Sequence, residues 1–367
     1  MVITVVFYVF VVFTGIQILY YLIFSSFLFK QKKKLNNTEK VPVSVIVFAK
    51  NSATNLQKNL PNYLAQDYPE FEIVLINNAS VDTTEDVIET FTAKHKNIKV
   101  VSVENNEAFW NNKKYALTLG IKAAKYDHLL FTNINSNPVS EHWITEMSKK
   151  FTLKRTIVLG YEKYKKENSF NNLFIRFHRL LKAIQCFAFA KQGSPFMAFG
   201  NNLAYKKTEF FKVNGFIKHI KIKFAEDDLF IKDAATKENI SYAISKNSFI
   251  ETDAPESFND WFQEQRILSS IEEHFKFKNQ FFLSFFVISK LFFYVLASIL
   301  FFLYPWQIIL AIVLGYFLVQ YIIIGLSAKK LKEPQIIFFL PFLEISLLLI
   351  QISIFIANLI SKPNHWK

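Results

Sequence analysis

The chain has 367 residues, is 51% hydrophobic and carries 42 Phe, 15 Tyr and 5 Trp. That apolar and aromatic content excludes a disordered protein, and its concentration at the two ends describes a membrane protein with a soluble insert. A formal net charge of +13 suits nucleic acid, anionic lipid or a polyanionic small substrate such as a nucleotide, while the single Cys186 excludes an internal disulfide and a cysteine-based zinc site.

From Met1 to Phe29 no side chain is charged, and the run closes on Lys30, Lys32, Lys33 and Lys34. Such a helix exceeds the roughly 20 residues needed to cross a bilayer. A secretory leader would start basic, have a shorter apolar core and end at a small-residue cleavage site, so residues 1–30 read as a retained transmembrane anchor. Residues 35–280 read as a soluble domain, and 281–361 as three further transmembrane helices, near 281–304, 305–328 and 335–360, with a turn at Pro305 and Trp306. Four crossings put the basic clusters at 30–34 and 329–332 on one side. The positive-inside rule makes that side cytoplasmic, which predicts a multi-pass inner-membrane protein with a cytoplasmic domain. Lys290, near one end of its span, is expected to snorkel, and Glu344 to find a partner in the bundle.

Within the soluble domain, Val43–Phe48 is short, β-branched and almost wholly apolar, the pattern of a strand buried on both faces. Similar runs at 71–76, 98–103, 128–132 and 156–160 alternate with helical patterns at 53–66, 83–94, 113–124 and 141–151. The alternation predicts an α/β domain with a mostly parallel sheet, whose ligand crevice lies at the carboxyl ends of the strands. Loops 49–52, 77–82 and 133–137 should line it. Residues 170–187 carry apolar side chains at helical spacing, with Arg176, Arg179 and Lys182 elsewhere on the turn. This suits either a helix at a membrane surface or an ordinary core-facing helix.

Several strand-end residues have the chemistry of a site. Lys50, Asn51, Asn77 and Asn78 can bond a base or ribose. Asp82 with Glu85 has the spacing of a capping box, the favoured role for Asp82. Asn133 and Asn135 can bond a ligand, although neutral amides are poor magnesium or manganese ligands, and Pro138 makes turn formation their plain alternative. The run Glu226-Asp227-Asp228 crowds three carboxylates, which raises their pKa values and suits a general base, a metal ligand or an acidic helix start. Gln263 and Arg266 stand just before the late spans, where an arginine can neutralise a diphosphate. The absence of G-x-G-x-x-G and Walker sequences argues against a Rossmann dinucleotide site or a P-loop.

Taken in order, these landmarks resemble the family 2 glycosyltransferases, most closely the ceramide-glucosyltransferase-like and polysaccharide-synthase-like branch. They are Lys50-Asn51, the loop 77–84, Lys113-Lys114-Tyr115-Ala116-Leu117, the loop 133–138, Gly200-Asn201-Asn202, Glu226-Asp227 and Gln263-x-x-Arg266. The resemblance covers roughly residues 40–270 and implies a GT-A fold, a Rossmann-like, mostly parallel sheet between transmembrane helices. It implies an inverting transferase that moves a sugar from a nucleotide-sugar donor, with a UDP-sugar favoured, to a lipid-linked or membrane-delivered acceptor. Asp227 matches the catalytic base. Lys50, Asn51, Asn77, Asn78, Lys113, Lys114, Asn133 and Asn135 fall on the donor side, and Glu226, Gln263 and Arg266 on the acceptor or diphosphate side. The family's D-x-D, which holds a magnesium or manganese ion, is here Asn133-Ile134-Asn135. Both carboxylates are gone, so a metal-independent reaction, with Lys113 or Lys114 and Arg266 meeting the diphosphate, is expected. A catalytically degenerate member that only binds a nucleotide sugar or a partner enzyme is the alternative. A nucleic-acid partner is not expected, because no reader motif accompanies the charge.

Overall fold

The structure, a computed structural model, describes residues 1–29, 40–104, 113–361 and 363. The basic cluster Lys30, Lys32, Lys33 and Lys34 lies outside the described residues. Two compact units form: Lys32–Lys166 with Ala190–Ala254, and Met1–Gln31 with Glu167–Phe189 and Pro255–Lys367. Residues 167–189 and 255–280 thus group with the apolar helices.

The chain opens with α1 (Val2–Phe24) and enters the first unit through β1 (Val43–Ala49), α2 (Ala53–Leu64), β2 (Phe71–Asn78), α3 (Thr84–Thr92) and β3 (Ile98–Val103). There follow α4 (Lys113–Ala123), β4 (His128–Asn133), β5 (Ser136–Pro138), α5 (Trp143–Ser148), β6 (Ile157–Leu159) and β7 (Glu162–Tyr164). After α6 (Phe170–Gln192) come β8 (Leu203–Lys206), α7 (Lys207–Lys212), α8 (Glu226–Ala234), β9 (Ile240–Tyr242) and β10 (Ile250–Thr252). The chain then runs through α9 (Phe258–Ile271), α10 (Phe277–Leu303), α11 (Trp306–Lys330) and α12 (Leu340–Ile360).

Seven strands form one sheet in the order β3-β2-β1-β4-β8-β6-β9. β1 pairs parallel with β2 and β4, and β8 runs antiparallel to β4 and β6. The strand order reverses between β1 and β4, the place where an open α/β sheet leaves a crevice at its strand ends. Register brings Phe48 opposite Asn133 and Ala49 opposite Asn77, so three polar loops emerge side by side. Every residue of β1 is buried, because both faces are covered. Val43, Val45 and Val47 pack with Leu56 and Leu60 of α2 and Trp143 and Met147 of α5. α4 covers the other face: a Cβ built on Gly120 would sit 2.4 Å from Ile76 Cδ1 and 3.5 Å from Ile46 Cγ2, so a larger residue fits only if Ile76 shifts. A second sheet runs β5-β10-β7.

Among the described residues the other unit has four helical segments long and apolar enough to cross a membrane: Val2–Leu28, Phe277–Leu303, Trp306–Lys330 and Pro334–Ile360. α1 turns Phe10, Thr14, Gln17, Tyr21 and Phe24 inward at helical spacing. Lys290 corrects the snorkelling expectation. It is buried and lies 2.6 Å from Glu344, because α12 brings a carboxylate to it inside the bundle. α6 resolves to the core-facing alternative: Phe174 packs edge-on against Trp261, Phe187 packs against Phe27, and Arg176 is buried against Glu333.

Candidate active site

The three loops at the strand ends are stitched to one another by main-chain and side-chain bonds. Asn51, in the left-handed region at φ 46°, donates its N–H to Ser80 Oγ (2.9 Å), and its own side-chain oxygen accepts the Val81 N–H (2.9 Å). Asp82 works differently from a capping box. α3 begins one residue beyond the expected start, and Asp82 accepts the N–H of Thr84 (3.1 Å) and that of Ala53 (3.4 Å), tying together the starts of α2 and α3. Asn77 and Asn78 are buried at the end of β2, and the Asn77 side-chain oxygen has no hydrogen-bond partner among the described residues. A buried unpartnered acceptor is costly, and a ligand N–H would relieve it.

The loop 133–137 is held by asparagines of α2. Asn55 donates to Asn135 Oδ1 (2.9 Å), Asn59 to the Ile134 carbonyl (2.7 Å) and Asn62 to Asn137 Oδ1 (2.9 Å). Spacings of four and three residues put these amides on one stripe, beside the apolar stripe of Leu56, Leu60 and Tyr63. Asn is a poorer helix former than Ala by about 0.5 kcal/mol, and each bond returns about 1 kcal/mol, so the stripe is favourable only while the loop stays docked. Within the loop Asn133 Oδ1 accepts the Asn135 N–H (3.0 Å). The oxygens at the two positions matching D-x-D are therefore neutral and already accept hydrogen bonds. That donor set does not fit a divalent cation, which favours anionic oxygens. Among the described residues no group of three or more His, Cys, Asp or Glu is placed to hold a metal ion.

Across the crevice, α8 begins at Ala225 in the left-handed conformation (φ 56°), which costs a non-glycine residue about 1 kcal/mol and presents the acidic run at a helix start. Glu226 pairs with Lys113 of α4 at 2.5 Å, with side-chain exposures of 13% and 37%. The Lys113 ammonium also stands over the Phe48 ring, 5.4 Å from its centroid. Burial opposes both charges, yet each partner holds the other ionised: Glu226 stays below the ordinary glutamate range and Lys113 above the ordinary lysine range. Among the described residues Asp227 has no ion pair of its own. Burial first, and the Glu226 charge second, raise its pKa to about 6. Its carboxylate lies against the backbone of Gly200, where an added Cβ would come within 2.8 Å of Oδ2. Asp228 accepts the Ala198 N–H at 2.9 Å and so fixes the start of α8.

The walls of the cavity that holds Lys113, Glu226, Asp227 and Gly200 include the aromatic rings of Phe48, Phe131, Tyr205 and Phe230. Sequence reading missed these aromatics, which sit on buried strand and helix faces and look like core. Tyr205 stacks on Phe131 at 4.5 Å, and burial followed by the Asp227 charge holds its phenol well above the ordinary range. Of the paired lysines only Lys113 lines the cavity. Lys114 is buried, and its ammonium donates to the Ile222 carbonyl and to that of Phe224 (3.0 Å), pinning the segment that leads into Glu226. Gln263 and Arg266 belong to the other unit. There Arg266 donates to Asn358 Oδ1 (3.0 Å), the Ser361 carbonyl (2.7 Å) and Gln263 Oε1 (3.2 Å), fastening α9 to the end of α12. Lys50 sits at the mouth of the loop after β1, where its carbonyl accepts the Ser52 hydroxyl (2.8 Å).

Comparison with known proteins places the fold and the family. A mannosyltransferase from Pyrobaculum calidifontis, solved with GDP-mannose and Mn2+, superposes with a TM-score of 0.60 over 92% of this chain and 97% of its own, at 15% identity. The two share the fold. Poly-β-1,6-N-acetyl-D-glucosamine synthase of Staphylococcus epidermidis is 34% identical over 88 residues, 24% of this chain. Dolichyl N-acetyl-α-D-glucosaminyl phosphate 3-β-D-2,3-diacetamido-2,3-dideoxy-β-D-glucuronosyltransferase of Methanococcus voltae is 32% identical over 101 residues. These alignments span 20% and 30% of the two relatives. The profile of glycosyl transferase family 21 matches residues 7–367, and the chain belongs to that family.

Proposed function

We propose that the chain moves a sugar from a nucleotide-sugar donor to a hydroxyl of a lipid-linked or membrane-delivered acceptor, with inversion, and that Asp227 is the base. The observation that carries this reading is Asp227 itself: a half-buried carboxylate beside the Lys113–Glu226 pair, raised to about 6, ionised at neutral pH yet still basic enough to take a proton. As the acceptor oxygen attacks the anomeric carbon, its proton passes to Asp227. The bond from that carbon to the diphosphate oxygen breaks, and its electron pair leaves with the nucleoside diphosphate. Entry from the face opposite the leaving group inverts the anomeric centre.

A UDP-sugar suits Asn77, whose buried side-chain oxygen lacks an N–H. A carboxamide offers one acceptor and one donor side, matching the imide N–H and carbonyl of uracil, whereas the adjacent donors of guanine favour a carboxylate. The membrane-delivered acceptor is supported by the four apolar segments and by the dolichyl-linked substrate for which the Methanococcus voltae relative is named. A cytoplasm-facing domain on a bacterial-type inner membrane is supported by Lys330, whose ammonium donates to the Leu28 carbonyl (3.0 Å) and so sets the basic end of α11 level with the end of α1. The test is to incubate detergent-purified protein with labelled UDP- and GDP-sugars and membrane lipid extract. Label should enter the organic phase with the anomeric configuration inverted by NMR. Label released only as free sugar, or transferred with retention, would contradict the reading.

A further inference from the structure

We propose that the donor is bound and transferred without a divalent cation, with α2 and Lys113 taking over the two tasks such an ion would perform. The inference rests on the sugar-transfer reading and concerns how that same site handles the diphosphate. An ion between a carboxylate loop and a diphosphate holds the loop in place and offsets negative charge. Here the loop is already held. Asn55 and Asn62 on α2 are positioning residues that fasten Asn135 and Asn137, and Asn59 fastens the intervening main chain.

Charge is handled by subtraction and by an ammonium. Two aspartates in this loop would repel a diphosphate and make a cation necessary; Asn133 and Asn135 bring no charge, so that repulsion is absent. Lys113 stands in the same cavity as Asp227, its ammonium 2.5 Å from Glu226. An arriving diphosphate competes with Glu226 for this cation. A buried carboxylate keeps the lysine charged and in place before the donor enters, which is the preorganisation that leaving-group stabilisation needs.

The experiment measures UDP and GDP binding by calorimetry on the full-length protein in detergent, in excess EDTA and in Mn2+, beside Asn133→Asp/Asn135→Asp, a substitution close to isosteric. For the unaltered protein the preferred nucleotide should bind within about twofold in the two conditions. The double variant should lose about tenfold or more in EDTA, regain it with Mn2+, and remove the free Mn2+ signal in paramagnetic resonance, which the unaltered protein should not do. Asn55→Ala should raise the donor KM several-fold at unchanged kcat, separating loop positioning from a general loss of folding. Nucleotide affinity that falls about tenfold or more in EDTA in the unaltered protein would overturn the inference and leave the sugar-transfer reading standing. Binding of neither nucleotide in either condition would overturn both.

Discussion

Two lysine–glutamate pairs, one half-buried in the first unit and one fully buried in the other, have nearly the same length and opposite settings. Lys113 and Glu226 meet at 2.5 Å beside a cavity, and Lys290 and Glu344 meet at 2.6 Å inside the helical bundle. Around Glu344 every approach is occupied. Tyr21 of α1 and Tyr316 of α11 donate to its Oε1 at 2.6 and 3.0 Å, Tyr294 of α10 donates to its Oε2 at 3.1 Å, and Gln320 supports Tyr21 at 2.9 Å. One carboxylate therefore collects donors from the other three long helices, and a fully satisfied pair in a low-dielectric interior acts as a joint. Around Glu226 the coverage stops one residue short: Asp227 shares the burial and receives the negative charge without a cation of its own. Saturation builds a scaffold, and a single uncompensated neighbour leaves the carboxylate proposed as the base.

The comparison breaks most visibly at its two carboxylates. Asp227→Asn should reduce the transfer rate by about 10²–10⁴-fold while the nucleotide still binds, as initial rates and calorimetry would show. Its thermal midpoint at neutral pH should not fall, because the substitution removes a charge that burial disfavours. Glu344→Ala should act on stability instead. Stranding Lys290 and three tyrosine hydroxyls costs about 3–5 kcal/mol, seen as a lower unfolding midpoint in detergent, and Lys290→Met added to it should restore part of the loss. If Glu344→Ala left the midpoint unchanged, the bundle pair would not be a joint.

Smaller changes sharpen the same contrast. Gly200→Ala places a methyl 2.8 Å from Asp227 Oδ2, and the displaced base should cost about ten- to a hundredfold in kcat with little change in donor affinity. Glu226→Gln removes the negative neighbour, so the acid limb of kcat/KM, expected near pH 6 in the unaltered protein, should move to lower pH. Stability runs the other way from activity over this limb. An aspartate near pKa about 3.9 when unfolded and about 6 when folded binds its proton more tightly in the native state. Its contribution is fully present below pH 4 or so and is lost as the pH rises through about 6, where activity appears.

Much of the scaffold was legible because its signals are local. β-branched runs and turn-bounded helical patterns located β1, β2, β3, β4 and β6 and the helices between them to within a few residues, though not β8 or β9, and long apolar stretches located the four candidate spans. The site was legible only where resemblance supplied order, since Glu226-Asp227 looks like any acidic helix start. What stayed hidden depends on partners distant in sequence. Asn55, Asn59 and Asn62 have plain helical spacing, but the loop they hold lies some 75–80 residues away. Lys113 and Lys114 are adjacent and identical in sequence. Only the fold turns one toward the cavity and the other onto two main-chain carbonyls. Lys290 looked ready to snorkel because its partner comes from another helix. For α6 the same apolar stripe serves a membrane surface or a packed core, and periodicity cannot separate the two.

The most direct test is acceptor-dependent nucleotide release by the purified full-length protein, assayed with UDP- and GDP-sugars and membrane lipid extract beside Asp227→Asn. The expected result is release that requires lipid extract, favours a UDP-sugar and disappears in the variant. Donor binding without release in the unaltered protein, or release of equal rate in the variant, would show that Asp227 is not the base of a sugar-transfer reaction.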